Sequence, residues 1–448
     1  MGTTLRQQMD SGTMSRYQWG TVALCLLLNI VDGFDILVVA YTSTSLTNEW
    51  GLSGSELGLL LSAGLFGMAA GTMFIAPLAD KIGRRPLVLF CLALAAVGMF
   101  ASALAPSPEI LGILRVLTGL GMGGIIVSAN VIASEFASKR WRGLAVSLNT
   151  TGYAFGAVVG GLTAVWLQSQ FSWRGVFVFG GAMTLAAFLV LLLRMPESVD
   201  FLYLSKSPQA LSKVNELARK MNKQQVTDLA RPETASVKKA SAVSTLLSPK
   251  YRRSTIIICV GFFLNMSGYY FVQSWTPRLL VQSGLSEAQG NLGGTVLNIG
   301  GMIGSIAIGV LLARFALKKV LVSYFAITGV LMCVFALVPS ALTAAFIIAL
   351  LIGVFANGCM AGLYTLVTGA YEPAVRATAV GWGITVGRMG AILAPIVAGG
   401  LLDLSWDTAG LYLLMSLPFF IAGATVAMIK IIKSNTGTTQ KDDVVTNA

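Results

Sequence analysis

The stretch Leu78-Ala79-Asp80-Lys81-Ile82-Gly83-Arg84-Arg85 packs four charges into eight residues between two apolar runs, 56–79 and 86–105. Each run is long enough to cross about 30 Å of hydrocarbon as a helix, so the charged octet reads as a tight turn at a membrane surface. Working outward, further candidate spans fall at 17–43, 109–135, 143–167 and 174–194, then at 254–280, 289–312, 317–338, 341–368, 376–402 and 408–433. The expected fold class is therefore all-α integral membrane, with twelve transmembrane helices in two pseudo-symmetric six-helix bundles.

Composition agrees with this reading. Of 448 residues, 55% are hydrophobic and 11% charged, with a mean hydropathy of +0.76, far outside the soluble globular range. The net charge of +12 is compatible with a nucleic-acid partner, but its distribution is not. With the N-terminus in the cytoplasm, all of the 31 Lys and Arg except Arg115, Arg174, Arg278 and Arg388 fall in cytoplasmic segments or at membrane edges. The opposite loops hold Glu49, Glu56, Glu109, Asp403 and Asp407 against Arg174. This is the positive-inside pattern, with both termini cytoplasmic.

The first apolar stretch is too long for a signal peptide and lacks a small-residue cleavage site, so it is expected to remain as the first helix. Five cysteines stand singly in apolar runs and no histidine occurs. No disulfide, metal site or cofactor is expected, and any proton relay must use carboxylates.

Residues 195–253 interrupt the hydrophobic pattern with eleven Lys or Arg and five acids, dividing the chain six and six. The organisation expected is an N-tail (1–16), a first bundle (17–194), a cytoplasmic loop (195–253), a second bundle (254–433) and a C-tail (434–448). Within the loop, Ala210, Leu211, Val214, Leu217, Ala218 and Met221 fall at helical spacing opposite Lys213, Glu216, Arg219 and Lys220, which predicts a short helix lying on the membrane surface. The halves echo one another. Glu135 ends the fourth span before Arg142, and Glu372 ends the tenth before Arg376. The charged octet has a degenerate counterpart in Leu312-Ala313-Arg314-Phe315-Ala316-Leu317-Lys318-Lys319. Glycines four apart, such as Gly67/Gly71, Gly152/Gly156/Gly160 and Gly300/Gly304, suit close helix packing or sliding helices equally.

Ala76-Pro-Leu-Ala-Asp80-Lys-Ile-Gly83-Arg84-Arg85 resembles the signature loop of the major facilitator superfamily, as do Arg115-x-x-x-Gly119-x-Gly121 and Pro196-Glu197-Ser198. Ala76 replaces a glycine usual in that family, and Ala313 replaces a common aspartate in the second copy. Asp32-Gly33-Phe34-Asp35, Ser274-Trp275-Thr276-Pro277 and Gly387-Arg388-Met389-Gly390 are similar to the aromatic acid/proton symporter family. That resemblance implies uptake of a benzoate-, hydroxybenzoate- or muconate-like anion with a proton across a bacterial inner membrane.

A charge within the bilayer costs at least about 2.5 kcal/mol, so mid-span ionisable residues are functional candidates. Asp32 and Asp35 lie three apart on one helical face and are expected to face the cavity. Two carboxylates about 5–6 Å apart in low dielectric disfavour double ionisation, so one is expected to hold a transported proton, Asp32 first and Asp35 second. The alternative is that one of them caps or pairs with a neighbouring helix. Arg388 suits bidentate binding of a carboxylate, or else a permanent bond to the aspartates or to backbone carbonyls. Arg115 is expected to be structural or coupling. Asn265, Tyr269 and Gln273 recur at i, i+4 and i+8 on the seventh span, with Asn298 on the eighth and Tyr364 on the tenth, as polar or ring contacts for substrate. Phe34, Tyr269, Trp275 and Trp382 supply rings on which an aromatic substrate would stack. Asp80, Arg84, Arg85, Glu135 and Arg142 read as a cytoplasmic gate, or as topology-fixing charges.

The function expected is symport of a small organic acid anion with H+, by a protein probing no nucleic acid and acting as a monomer in the lipid bilayer. Two competitors stand beside it. An efflux antiporter on the same fold is disfavoured because Gly152-Tyr-Ala-Phe-Gly156-Ala-Val-Val-Gly160-Gly161 lacks the proline of efflux members. A transporter-like sensor is disfavoured because no sizeable output domain is visible. No nucleophile constellation supports an enzyme.

Overall fold

The computed structural model describes residues 4–205, 209–229, 245–312, 314–337, 341–371 and 373–429. Ala313, Glu372 and the C-tail expected at 434–448 lie outside the described residues. Among the described residues, twelve helices are long and apolar enough to cross a membrane. The first half holds α2 (Arg16–Trp50), α3 (Gly54–Ala70), α5 (Arg84–Ala103), α6 (Pro108–Phe136), α7 (Arg142–Gln170) and α8 (Trp173–Arg194). The second holds α11 (Arg252–Gln282), α12 (Glu287–Leu312), α13 (Leu317–Leu337), α14 (Leu342–Ala370), α15 (Pro373–Asp403) and α16 (Thr408–Ala427). The second span continues past α3 through a π turn at Gly71–Ile75 and a 3-10 turn at Ala76–Leu78 into α4 (Ala79–Ile82).

Local chemistry sets the helix ends. Ser15 with Gln18 and Ser53 with Glu56 form reciprocal capping boxes that start α2 and α3. Gly51 closes α2 at φ +63°, a left-handed turn. Gly83, at φ +101°, turns the chain between α4 and α5, and there the Glu197 carboxylate accepts from the amides of Arg84 (2.8 Å), Arg85 (3.1 Å) and Ser198 (2.9 Å). An acid is thus placed against the positive end of α5.

The two halves repeat one packing scheme. In the first, α2 packs on α7, α3 on α6 and α5 on α8; in the second, α11 packs on α15, α12 on α14 and α13 on α16. Between halves, α3 meets α15 and α7 meets α12, the reciprocal pairing of a pseudo-two-fold axis. Glycine makes the tightest of these contacts possible. A Cβ on Gly33 would overlap the Tyr153 carbonyl, and one on Gly304 the Val354 carbonyl.

Further helices lie outside the spans of the first half, and one of them corrects an expectation. The N-tail contains α1 (Leu5–Ser11), opened by a Thr4/Gln7 capping box, with Leu5 and Met9 fully buried. Arg6 donates to the Glu135 carbonyl (3.1 Å), and Asp10 pairs with Arg142. A short α9 (Val199–Leu204) follows α8, and α10 (Ala210–Lys220) forms where helical spacing placed it. Its apolar face does not lie on lipid. Val214, Leu217, Ala218 and Met221 are buried in a cluster with Leu5, Met9, Val88 and Ile132, because α1 and the ends of the first bundle supply a protein surface that the sequence pattern could not distinguish from a bilayer.

Candidate functional site

The hydrogen bonds that join the halves gather at the end remote from the chain termini. Asp403 of α15 accepts from the Gly54 amide (2.6 Å) and Ser55 amide (2.9 Å) at the start of α3. Ser62 donates to the Ile392 carbonyl (2.7 Å), and Ser45 to Glu287 (2.6 Å). Asn298 reaches the Tyr41 hydroxyl at 3.4 Å. Near the other end of the second span, Met73 and Phe74 are 69% and 66% exposed.

Beneath this closed end, near the midpoints of the helices, lie the two mid-span aspartates. Their paths diverge. Asp35 accepts from Arg115 at 3.0 Å, and Arg115 also donates to Ser102 (2.8 Å) and stacks over Phe177 at 5.0 Å. Both are buried inside the first half. Asp35 therefore does not face the cavity: residues three apart on a helix point about 60° from one another, enough to send one into the bundle's own core. Asp32 is 2% exposed, and its Oδ1 has no hydrogen-bond partner among the described residues. Its electrostatic neighbours are Asp35 and, from the other half, Arg388.

Arg388 sits midway along α15, where Gly387 and Gly390 bring that helix against Phe262, Phe263 and Met266 of α11. Its Nε is buried without a partner, and it makes no ion pair among the described residues. Tyr270 and Tyr364 lie within its electrostatic reach. The Tyr153 hydroxyl, from α7, is also buried without a partner and neighbours Asp32, Tyr269 and Tyr270. The close approach of Gly33 to Tyr153 holds this phenol beside Asp32.

Toward the closed end, Gln273 donates to the Tyr269 hydroxyl (2.8 Å) and to Asn298 Oδ1 (3.0 Å), while Asn298 donates back to Gln273 (3.1 Å). Tyr41 donates to the Ala157 carbonyl (3.0 Å), tying this amide pair to the first half. Asn265 donates weakly to Met360 Sδ at 3.4 Å and leaves its own Oδ1 unpartnered. Tyr364 is 36% exposed and packs edge-on against Phe262 at 5.4 Å. Trp382 stands 47% exposed. Phe34 is removed from the substrate-stacking set: it is 1% exposed, 5.8 Å from Phe179, and wedged against Gly160 and Gly180 inside the first half.

The charges read as a gate all find partners within the first half in this conformation. Arg84 pairs with Glu135, whose second oxygen accepts from Ser198 (2.8 Å); Asp80 touches Arg84 at 4.0 Å and is mostly exposed. Arg85 donates to the Leu192 carbonyl (2.7 Å), and Arg142 turns to Asp10 and the Ser134 carbonyl.

Sequence reasoning missed Tyr41, Tyr153 and Tyr270. Tyr153 carried a signal, since it lies between the stacked glycines of α7, whose facing backbone belongs to the Asp32 turn. A stability contrast separates the aspartates. Asp35→Ala leaves the buried Arg115 charge uncompensated and should cost about 3–5 kcal/mol, whereas Asp32→Ala removes a charge that has no partner and should cost far less. Thermal unfolding of the two purified variants side by side checks this; equal loss would contradict the division of roles.

The chain matches the sequence model described as Major Facilitator Superfamily over residues 23–308 and 258–444. It is 30% identical over 429 residues to the gallate transporter of Pseudomonas putida, covering 94% of each chain. Identity to the 4-hydroxybenzoate transporter of Pseudomonas aeruginosa is 30%, again over 94% of each chain. The benzoate transport protein of Acinetobacter baylyi is 27% identical over 95% of this chain and 92% of its own. Among solved structures, a D-xylose-proton symporter superposes with a TM-score of 0.73 at 16% identity, covering 92% of this chain and 98% of that one, a likeness of fold.

Proposed function

This chain is a multi-pass membrane protein of the Major Facilitator Superfamily, and on that premise we propose that it takes up a small aromatic or related organic acid together with a proton by alternating access. The observation that carries the reading is the pair Asp32 and Arg388. They come from opposite halves, lie within electrostatic reach across the central path, and neither has a hydrogen bond or ion pair among the described residues. A permanent guanidinium is suited to hold a carboxylate, and an unpartnered buried carboxyl is suited to gain and lose a proton. The names of the relatives support an aromatic cargo.

The chemistry runs as a competition. With Asp32 protonated, Arg388 is free to bind the substrate anion, with Tyr153, Tyr269, Tyr270 and Tyr364 around the ring. When Asp32 releases its proton, its carboxylate competes for Arg388 and favours substrate release. Under the positive-inside orientation the closed end is extracellular, so this conformation opens to the cytoplasm. Return to the outward state requires parting the Asp403 and Glu287 contacts and forming new ones at the opposite end, where the Asp80, Arg84, Arg85, Glu135 and Arg142 set is proposed to act as the gate. One proton with one monoanion moves no net charge, so the pH gradient alone drives accumulation.

The test is uptake of radiolabelled benzoate, 4-hydroxybenzoate, gallate, muconate and a neutral sugar into proteoliposomes with an imposed pH gradient. Aromatic acids should accumulate when the outside is acidic, and the sugar should not. Accumulation indifferent to the gradient would sink the symport reading, and accumulation driven by an acidic lumen would replace it with antiport.

A further inference from the structure

At the closed end the halves leave a second recess, about 490 Å³, within the size range of small-molecule sites. Thr47 and Leu57 line it from the first half; Trp275, Arg278, Gln282 and Trp406 line it from the second. Two acids border it, and both are engaged. Asp403 accepts from the amides of Gly54 and Ser55 and from the Ser55 hydroxyl; Asp407 caps α16 by accepting from the Gly410 amide at 2.9 Å. Each thereby offsets the partial positive charge of a helix N-terminus.

Arg278 differs. Among the described residues its guanidinium makes no hydrogen bond and no ion pair, although it is partly buried. Its nearest charge influence, Glu287, is already hydrogen-bonded to Ser45. Trp406, 41% exposed, lines the same recess. A recess that holds an unpaired guanidinium and a half-exposed indole, with its carboxylates otherwise occupied, has the elements that recognise an aromatic carboxylate: bidentate pairing at one end and ring stacking at the other.

We propose that this recess is a capture site for organic carboxylates on the face opposite the chain termini, with Arg278 as the anion anchor and Trp406 as the stacking surface. It rests on the cargo and orientation proposed above. Substrate caught there waits outside the closed Asp403 and Glu287 contacts and is delivered to Arg388 when they part. Local concentration rises at the mouth, so the site acts on apparent affinity and leaves the turnover of a saturated carrier to the central path.

Initial rates of 4-hydroxybenzoate uptake into proteoliposomes should show KM raised about tenfold in Arg278→Gln with Vmax within twofold, and largely restored in Arg278→Lys. An unchanged KM, or a loss carried wholly by Vmax, would overturn the proposal. A second measurement does not depend on transport. In the Arg388→Ala protein, 4-hydroxybenzoate should still quench tryptophan fluorescence, and the quench should vanish on adding Trp406→Phe or Arg278→Gln. No quench, or one indifferent to both changes, overturns the recess as a site. A protein that quenches in this way but transports none of the acids would refute the proposed cargo while supporting the recess.

Discussion

Asp32→Asn is expected to abolish accumulation of substrate against its gradient while leaving exchange of labelled for unlabelled substrate across the membrane. Asparagine has nearly the shape of a protonated carboxyl but has no proton to release, so Arg388 stays open to substrate and each carrier still cycles when loaded. What is lost is the link to the pH gradient. For one proton per anion, a gradient of one pH unit supports about tenfold accumulation, since each tenfold ratio costs about 1.4 kcal/mol. The ratio in Asp32→Asn should fall to about one at any imposed gradient. The prediction is specific to Asp32 because Asp35 is held by Arg115 at 3.0 Å in the first half, and exchanging that proton would break a buried ion pair at each turn of the cycle. Gradient-driven accumulation in Asp32→Asn equal to the unaltered protein would remove Asp32 from proton coupling.

The contrast between these two aspartates marks where the sequence stops being informative. The twelve spans, the six-plus-six division and the charged turn at Asp80 through Arg85 are all set by hydropathy and by the cost of leaving charge in lipid, which act on residues one at a time. Helical spacing also relates Asp32 to Asp35. It gives the angle between them but not the neighbour each one meets. In a molecule of two bundles, facing inward has two meanings: toward the core of one half, where Phe34 and Asp35 go, or toward the path between halves, where Asp32 goes. Only the packing of α2 against both α6 and α7 decides between them. Similarly, the apolar face of α10 has the same periodicity whether it covers lipid or α1, and α1 itself announced its start through the Thr4 and Gln7 capping pair, a signal too short to weigh against a tail assignment. Tyr41 and Tyr270 were invisible for a related reason, because an aromatic in an apolar span carries no mark of which side of the helix faces a cavity.

Arg388→Ala is the complementary prediction, and it tests the anion side of the mechanism. Charge-assisted hydrogen bonds contribute about 1.5–3 kcal/mol, so loss of the guanidinium should weaken equilibrium binding of 4-hydroxybenzoate to the central site about 10- to 100-fold, measured by competition for substrate exchange. Arg388→Lys should recover only part of this, since an ammonium is a point donor and cannot match both carboxylate oxygens in one plane. The sequence left open a permanent salt bridge from Arg388 to the aspartates. In the structure Asp35 is committed to Arg115, Asp32 makes no hydrogen bond to Arg388, and the Arg388 Nε stays unpartnered. A bridging arginine would be missed first in stability: its removal would lower the unfolding temperature and leave the affinity for acid alone. An anchoring arginine is missed first in affinity. The folded protein should survive, and a neutral amide analogue of the substrate, which has no charge to pair, should bind the variant and the unaltered protein about equally. Normal acid affinity in Arg388→Ala would reject the anchoring role, and a parallel loss for acid and amide would show that Arg388 shapes the site without reading the carboxylate.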